Sequence, residues 1–248
     1  MSHPNAHAAL REDLCRVAHS LFARGLVAGT AGNISARLPE GEGVLITPTD
    51  ACLGFIDPAA LAWVDGHGLQ RSGAPASKTL ALHQRIYACD PQAHCVIHTH
   101  STQLVALTLQ GVWQPDAVLP PITPYFVMKV GRVPLVPYAR PGAPAVAEAI
   151  AEGIAAAAAR GAVLRAVLCE RLGPIVWQRS PVAAMAVLEE LEETARLWLQ
   201  TRQRGDRRAQ SGDPVSHAAT ADAACANPTG FLSAAQIDEL RQHFGATW

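Results

Sequence analysis

Two histidines one residue apart, His98 and His100, close the run Cys95-Val96-Ile97-His98-Thr99-His100-Ser101. Val96 and Ile97 favour a strand. In a strand residues i and i+2 share a face, which sets the two imidazoles side by side with Cα atoms roughly 6–7 Å apart. Neutral imidazoles at that spacing can converge on one divalent cation and leave open positions where a water or a substrate oxygen is polarised. A histidine pair at a strand end can equally be ordinary polar surface, so the neighbouring chemistry decides.

Three polar stretches offer places for an anion. Thr30-Ala31-Gly32-Asn33-Ile34-Ser35 is a small-residue turn opening into a strand. Glycine there lets backbone approach a ligand, and the Thr, Asn and Ser side chains supply short donors. Pro48-Thr49-Asp50 breaks the apolar strand at residues 44–47 into a second polar loop. Ser77-Lys78-Thr79 opens a helix running to about Cys89. A helix start carries free backbone N–H groups and a favourable dipole, to which Lys78 adds a full charge. Ser77 also reads as an N-cap and Lys78 as a solvated surface residue.

The elements around these residues follow from periodicity. Leu10, Leu14, Val17 and Leu21 lie on one helical face, and residues 144–159 are an alanine-rich helix former. Short strands are expected at 61–64, 133–136, 163–169 and 174–177, the first followed by the hairpin turn Asp65-Gly66-His67-Gly68. Residues 120–126 read as a rigid, partly aromatic loop, and 181–200 as a long amphipathic helix whose Glu189, Glu190, Glu192 and Glu193 form a solvated face. Residues 1–200 are expected to be one catalytic domain. Residues 201–229, rich in Arg, Gln, Gly, Asp, Ser and Ala without apolar periodicity, read as a linker. Residues 230–248 then hold a docking helix that starts at the capping box Ser233 to Gln236 and carries an Ile237, Leu240 and Phe244 stripe.

Composition narrows the ligand. Twenty basic residues balance 21 acidic ones, which points away from nucleic acid and membrane surfaces and towards small polar or anionic ligands. The six cysteines lack CxxC spacing, as buried thiols in a reducing compartment do. The N-terminus has no basic start or apolar core of a secretory signal, so a soluble, cytoplasmic protein is expected.

In order along the chain stand TAGNIS at 30–35, LITPTD at 45–50, SK at 77–78, VIHTHS at 96–101 and LGPIVW at 172–177. Over residues 8–200 this set resembles the class II aldolase/adducin superfamily. The segments 121–138 and 189–195 are similar to its branch of 3-oxo-tetronate 4-phosphate decarboxylases. The resemblance implies an α/β fold with a mixed central β-sheet and helices on both faces, assembled as a homotetramer with active sites at subunit interfaces. It implies a substrate phosphate site at Thr30, Gly32, Asn33, Thr49, Asp50, Ser77 and Lys78. The metal ligands fall on His98 and His100, with zinc the expected divalent ion. Two positions depart from the family pattern: its acid/base glutamate falls on Thr79 and its third metal histidine on Leu172. Glu170 and His83 are the substitutes considered for that third ligand.

A phosphorylated four-carbon keto sugar acid is therefore the expected substrate, split into dihydroxyacetone phosphate and carbon dioxide. Decarboxylation of a β-keto acid asks mainly for stabilised negative charge at the ketone oxygen, which a cation on the histidines or Lys78 supplies. Tyr125 is the candidate proton donor to the resulting enediolate. A sugar-phosphate aldolase of the same superfamily and a non-catalytic adducin-like scaffold remain the rival readings at this stage.

Overall fold

The computed structural model describes residues 7–210 and 231–248. Among the described residues eight strands form one sheet: β1 (Asn33–Arg37), β2 (Val44–Ile46), β3 (Ala62–Val64), β4 (Gln70–Ser72), β5 (Cys95–His98), β6 (Leu135–Val136), β7 (Ala166–Cys169) and β8 (Gly173–Gln178). Their order is β4-β3-β2-β1-β5-β8-β7-β6, parallel only between β6 and β7. The long helices are α1 (Ala8–Ala23), α2 (Leu80–Cys89), α3 (Thr102–Gln110), α4 (Pro144–Ala159), α5 (Pro181–Gln210) and α6 (Ala234–Phe244).

Strand alternation divides the core into two layers. Cys95 and Ile97 of β5 point into a layer with Leu14 and Leu21 of α1, Leu104 of α3, and Leu188 and Leu191 of α5. Val96, with Trp177 of β8, points the other way, onto Ile86 and Tyr87 of α2 and Val146 and Ile150 of α4. The expected mixed sheet with helices on both faces is therefore the observed α/β architecture.

Several local expectations change. Helix α5 continues to Gln210, so residues 201–210 are helical rather than linker. Straight-chain Arg and Gln carry good helix propensity even without an apolar face. Residues 211–229, the rest of that stretch, lie outside the described residues, as do Cys225 and the first six residues. The loop at 120–126 leads into a π-helical turn at Phe126–Val130. Helix α6 does start with a reciprocal Ser233 and Gln236 capping box, and Ile237 packs into the α5 layer. Phe244, however, stays 63% exposed.

The glutamate run is not a uniform solvated face. Glu192 is buried, and its two carboxylate oxygens accept the backbone N–H groups of Gln103 (2.8 Å) and Leu104 (3.0 Å) in the first turn of α3. Its charge meets the positive end of that helix, where four N–H groups otherwise lack partners.

Candidate active site

The chemistry-bearing loops gather at one end of the sheet because β1, β5 and β8 run antiparallel in a fixed register. Asn33 pairs with His98, and His98 with Ile175. The loop after β2 is tied in from the side. Thr47 donates its N–H to the Ile34 carbonyl at 2.9 Å, and the Ser77 N–H reaches the Thr47 carbonyl at 3.2 Å. Thr49 N–H donates to the Pro75 carbonyl at 2.9 Å, so the loops carrying Thr49 and Ser77 lie against each other.

Two glycines let this end close up. A Cβ on Gly32 would come within 2.8 Å of the His98 carbonyl oxygen, and one on Gly173 within 2.3 Å of the Thr99 carbonyl oxygen. Both adopt positive φ, 82° and 117°. The segment 98–100 is thus pinched between two backbones, an approach that only glycine permits.

His98 and His100 converge, with ring centroids 5.0 Å apart. The His98 ring is 6% exposed, and its Nδ1–H donates to the Pro174 carbonyl at 2.8 Å. A carbonyl only accepts, so the proton sits on Nδ1 and Nε2 keeps its lone pair free. Burial pushes the His98 pKa down to about 4, opposed by the Pro174 carbonyl and reinforced by His100. Burial also lowers that of His100. Both rings are therefore neutral at physiological pH, the form in which imidazole binds a cation.

The remaining proposed ligands do not join them. His83 is fully buried with both nitrogens engaged, Nδ1 with Ser35 Oγ and Nε2 with Asn33 Oδ1, each at 2.7 Å. Glu170 Oε2 instead accepts the Tyr138 backbone N–H at 3.0 Å. Among the described residues no group of three or more His, Cys, Asp and Glu is placed to hold a metal ion. Among the described residues the donor set at this end of the sheet is two imidazoles, with His98 prepared for it by Pro174.

A cleft of about 380 Å³ opens on the histidines and is lined by Asn33, Lys78, Thr79, Arg140 and Leu172, among others. Of the residues expected from sequence, Asn33, Lys78, His98 and His100 line it. Ser77 is buried, its Oγ 2.9 Å from Thr79 Oγ1, and Gly32 supports the His98 backbone. Thr30, Thr49 and Asp50 are on the adjoining loops and do not line this cleft. Tyr125 does not either. It is 62% exposed and begins the turn whose Phe126 and Val127 pack in the α5 layer, across the sheet from the cleft. Arg140 was missed as a site residue because an arginine in an Arg-Pro-Gly turn reads as solvated surface. Neither it nor Lys78 has an ion-pair partner among the described residues, whereas Arg85 on the same wall is neutralised by Glu148 at 2.8 Å.

Residues 12–199 match the family model of the class II aldolase and adducin N-terminal domain. The chain belongs to this family. A relative from Cupriavidus necator, named 3-oxo-tetronate 4-phosphate decarboxylase, is 52% identical over 96% of this chain and 97% of its own. The crystal structure of YgbL from Escherichia coli, described there as an aldolase/epimerase/decarboxylase, aligns with a TM-score of 0.74 at 38% identity, covering 94% of this chain and 98% of that one. L-fuculose-1-phosphate aldolase from Thermus thermophilus aligns with a TM-score of 0.67 at 25% identity, over 84% and 99%. Thr79 and Leu172, the two positions at which the sequence was expected to depart from the family pattern, both line the cleft beside the paired histidines.

Proposed function

We propose that this chain is a carbon-carbon lyase that decarboxylates a phosphorylated four-carbon 3-oxo acid, 3-oxo-tetronate 4-phosphate, to dihydroxyacetone phosphate and carbon dioxide. One observation carries the reading: a single cleft joins two neutral histidines and two cations, Lys78 and Arg140, that have no ion-pair partner among the described residues, with a threonine, Thr79, beside them. The name of the 52% identical relative supports it.

The substrate carries a phosphate at one end and a carboxylate at the other. Lys78 and the Asn33 amide bind the phosphate, while the adjoining loops that carry Thr30, Gly32, Thr49, Asp50 and Ser77 hold those two residues in place from outside the cleft. Arg140 receives the carboxylate. Because negative charge leaves the carboxylate as the C1–C2 bond breaks, that pairing contributes to affinity more than to rate. The bonding electrons move into the C2–C3 region, and charge gathers on the C3 ketone oxygen. His98 and His100 would hold a divalent cation, zinc by the sequence expectation, and such an ion supplies a positive field at that oxygen. Proton delivery to C2 completes the product. Tyr125 serves as donor only from a neighbouring copy of the chain, which fits a cytoplasmic homotetramer with sites between subunits.

Incubation with 3-oxo-tetronate 4-phosphate, tried as both C2 stereoisomers and with zinc or manganese, should release carbon dioxide and dihydroxyacetone phosphate in equal amounts. Aldol-cleavage products in place of gas, or no turnover under any of these conditions, would overturn the proposal.

A further inference from the structure

Behind the cleft wall runs a buried chain of hydrogen bonds that the reaction itself does not use. Tyr87 Oη lies 2.7 Å from Ser35 Oγ, Ser35 Oγ 2.7 Å from His83 Nδ1, and His83 Nε2 2.7 Å from Asn33 Oδ1. All four residues are buried, Ser35 and His83 completely. Asn33 and Ser35 stand two apart on β1 and share the face towards α2, while His83 and Tyr87 stand four apart on α2. The strand period and the helix period therefore mesh into a ladder of four polar groups inside an otherwise apolar layer.

The direction of every proton can be assigned. The Tyr87 phenol oxygen also meets the Val96 backbone N–H, which can only donate, so the phenol proton is paired only if it points at Ser35. Ser35 then gives its own proton to His83 Nδ1, which leaves the ring protonated at Nε2 and donating to Asn33 Oδ1. With its oxygen held from behind, Asn33 must turn its NH2 group towards the cleft that it lines. The reverse direction strands the phenol proton in an apolar layer, where an unpaired donor is costly, and would present the Asn33 oxygen to the cleft instead.

We propose that Tyr87, Ser35 and His83 are positioning residues that lock the Asn33 amide with its N–H donors facing the ligand, making that corner of the cleft selective for anionic oxygen. The inference rests on the phosphate-ester reading above and identifies what enforces it. An asparagine free to flip offers an anion a donor in one orientation and a repelling oxygen in the other. The buried ladder removes the second orientation before the substrate arrives.

The test uses the full-length protein with inorganic phosphate and dihydroxyacetone phosphate as probes, followed by calorimetry, and nitrogen-15 NMR of the His83 ring. Nε2 should show the protonated, pyrrole-like shift and Nδ1 the unprotonated, pyridine-like one. Ser35→Ala should weaken both probes about tenfold, Ser35→Thr should restore most of the loss, and Asn33→Asp should weaken them at least as much as Ser35→Ala. In turnover the Ser35→Ala deficit should fall on KM rather than kcat. Zinc content of Ser35→Ala should equal that of the parent, which separates the effect from general damage at the histidines. A His83 ring protonated at Nδ1, or phosphate affinity unchanged in a folded Ser35→Ala protein, would overturn the proposal. If the tautomer and the phosphate effects hold while no decarboxylation is seen, the reaction assignment fails and the ladder stands.

Discussion

The Pro174 carbonyl accepts the Nδ1–H of His98 at 2.8 Å and so decides which nitrogen of that ring is free. The carbonyl belongs to the strand that pairs with the one carrying His98, so the sheet itself orients the ring. A backbone partner of this kind fixes ring and tautomer together, much as carboxylates do for other metal-binding histidines.

Removing that ring should empty the centre. If His98 and His100 hold the proposed divalent ion, His98→Ala is expected to be purified with less metal than the parent and with kcat/KM reduced about 100-fold or more, while thermal unfolding shifts little. Elemental analysis alongside a melting curve checks it. An unchanged metal content in the variant would remove His98 from the centre.

Arg140 has a different signature. Arg140→Ala should raise KM for the keto acid about tenfold or more with kcat changed much less, because in the proposed binding mode the guanidinium meets a group that loses charge during the reaction. Steady-state kinetics distinguishes this from a fall in kcat alone, which would give Arg140 a role in the bond-breaking step.

Gly173 tests the closeness of the β7–β8 turn to the histidine segment. With φ at 117° and the Thr99 carbonyl oxygen 2.3 Å from the position of an added Cβ, Gly173→Ala should cost about 2–4 kcal/mol of stability. Urea denaturation measures it, and metal loss should accompany the shift because His100 Cα lies 3.2 Å from the same added Cβ. A variant as stable as the parent would show that the turn can retreat without consequence.

Acid should destabilise the fold through its buried rings. The pKa of His83 is lowered from 6.5 to about 3 by burial and then by the neighbouring His98. Between those values the unfolded chain binds a proton that the native protein does not, so stability is full above pH 6.5 and falls as pH drops towards 3. The slope is about 1.4 kcal/mol per pH unit for one such histidine, and His98, lowered to about 4, adds to it down to that pH. Urea titrations at a series of pH values should show this slope, reduced in His83→Gln. A flat profile across the window would mean that the rings take up protons in the native state.

The histidine strand and the three polar loops were legible in the sequence because each rests on short-range patterns, β-branched runs and helix starts, whereas the sheet with helices on both faces followed from the family resemblance. The loops could be found individually, yet only the β1–β5 register shows that Asn33 directly opposes His98. Roles that depend on tertiary placement were hidden. Glu192 looks like its neighbours Glu189 and Glu193 in the sequence, and only the fold sets the start of α3 against it. His83 carried no local mark separating a free ligand from a ring with both nitrogens taken. Arg140 and Tyr125 sit in turns, where side-chain direction is set by packing that periodicity does not encode.

Glu192 also ties together two helices that share one layer of the core. Its carboxylate belongs to α5 but grips the start of α3, two residues beyond His100. A sliding or rotation of α5 along its length would tug on the stretch that carries both imidazoles. The end of the protein that carries the paired histidines is in this way mechanically coupled to a helix on the opposite layer, and a lesion deep in that helix registers first as a displaced histidine.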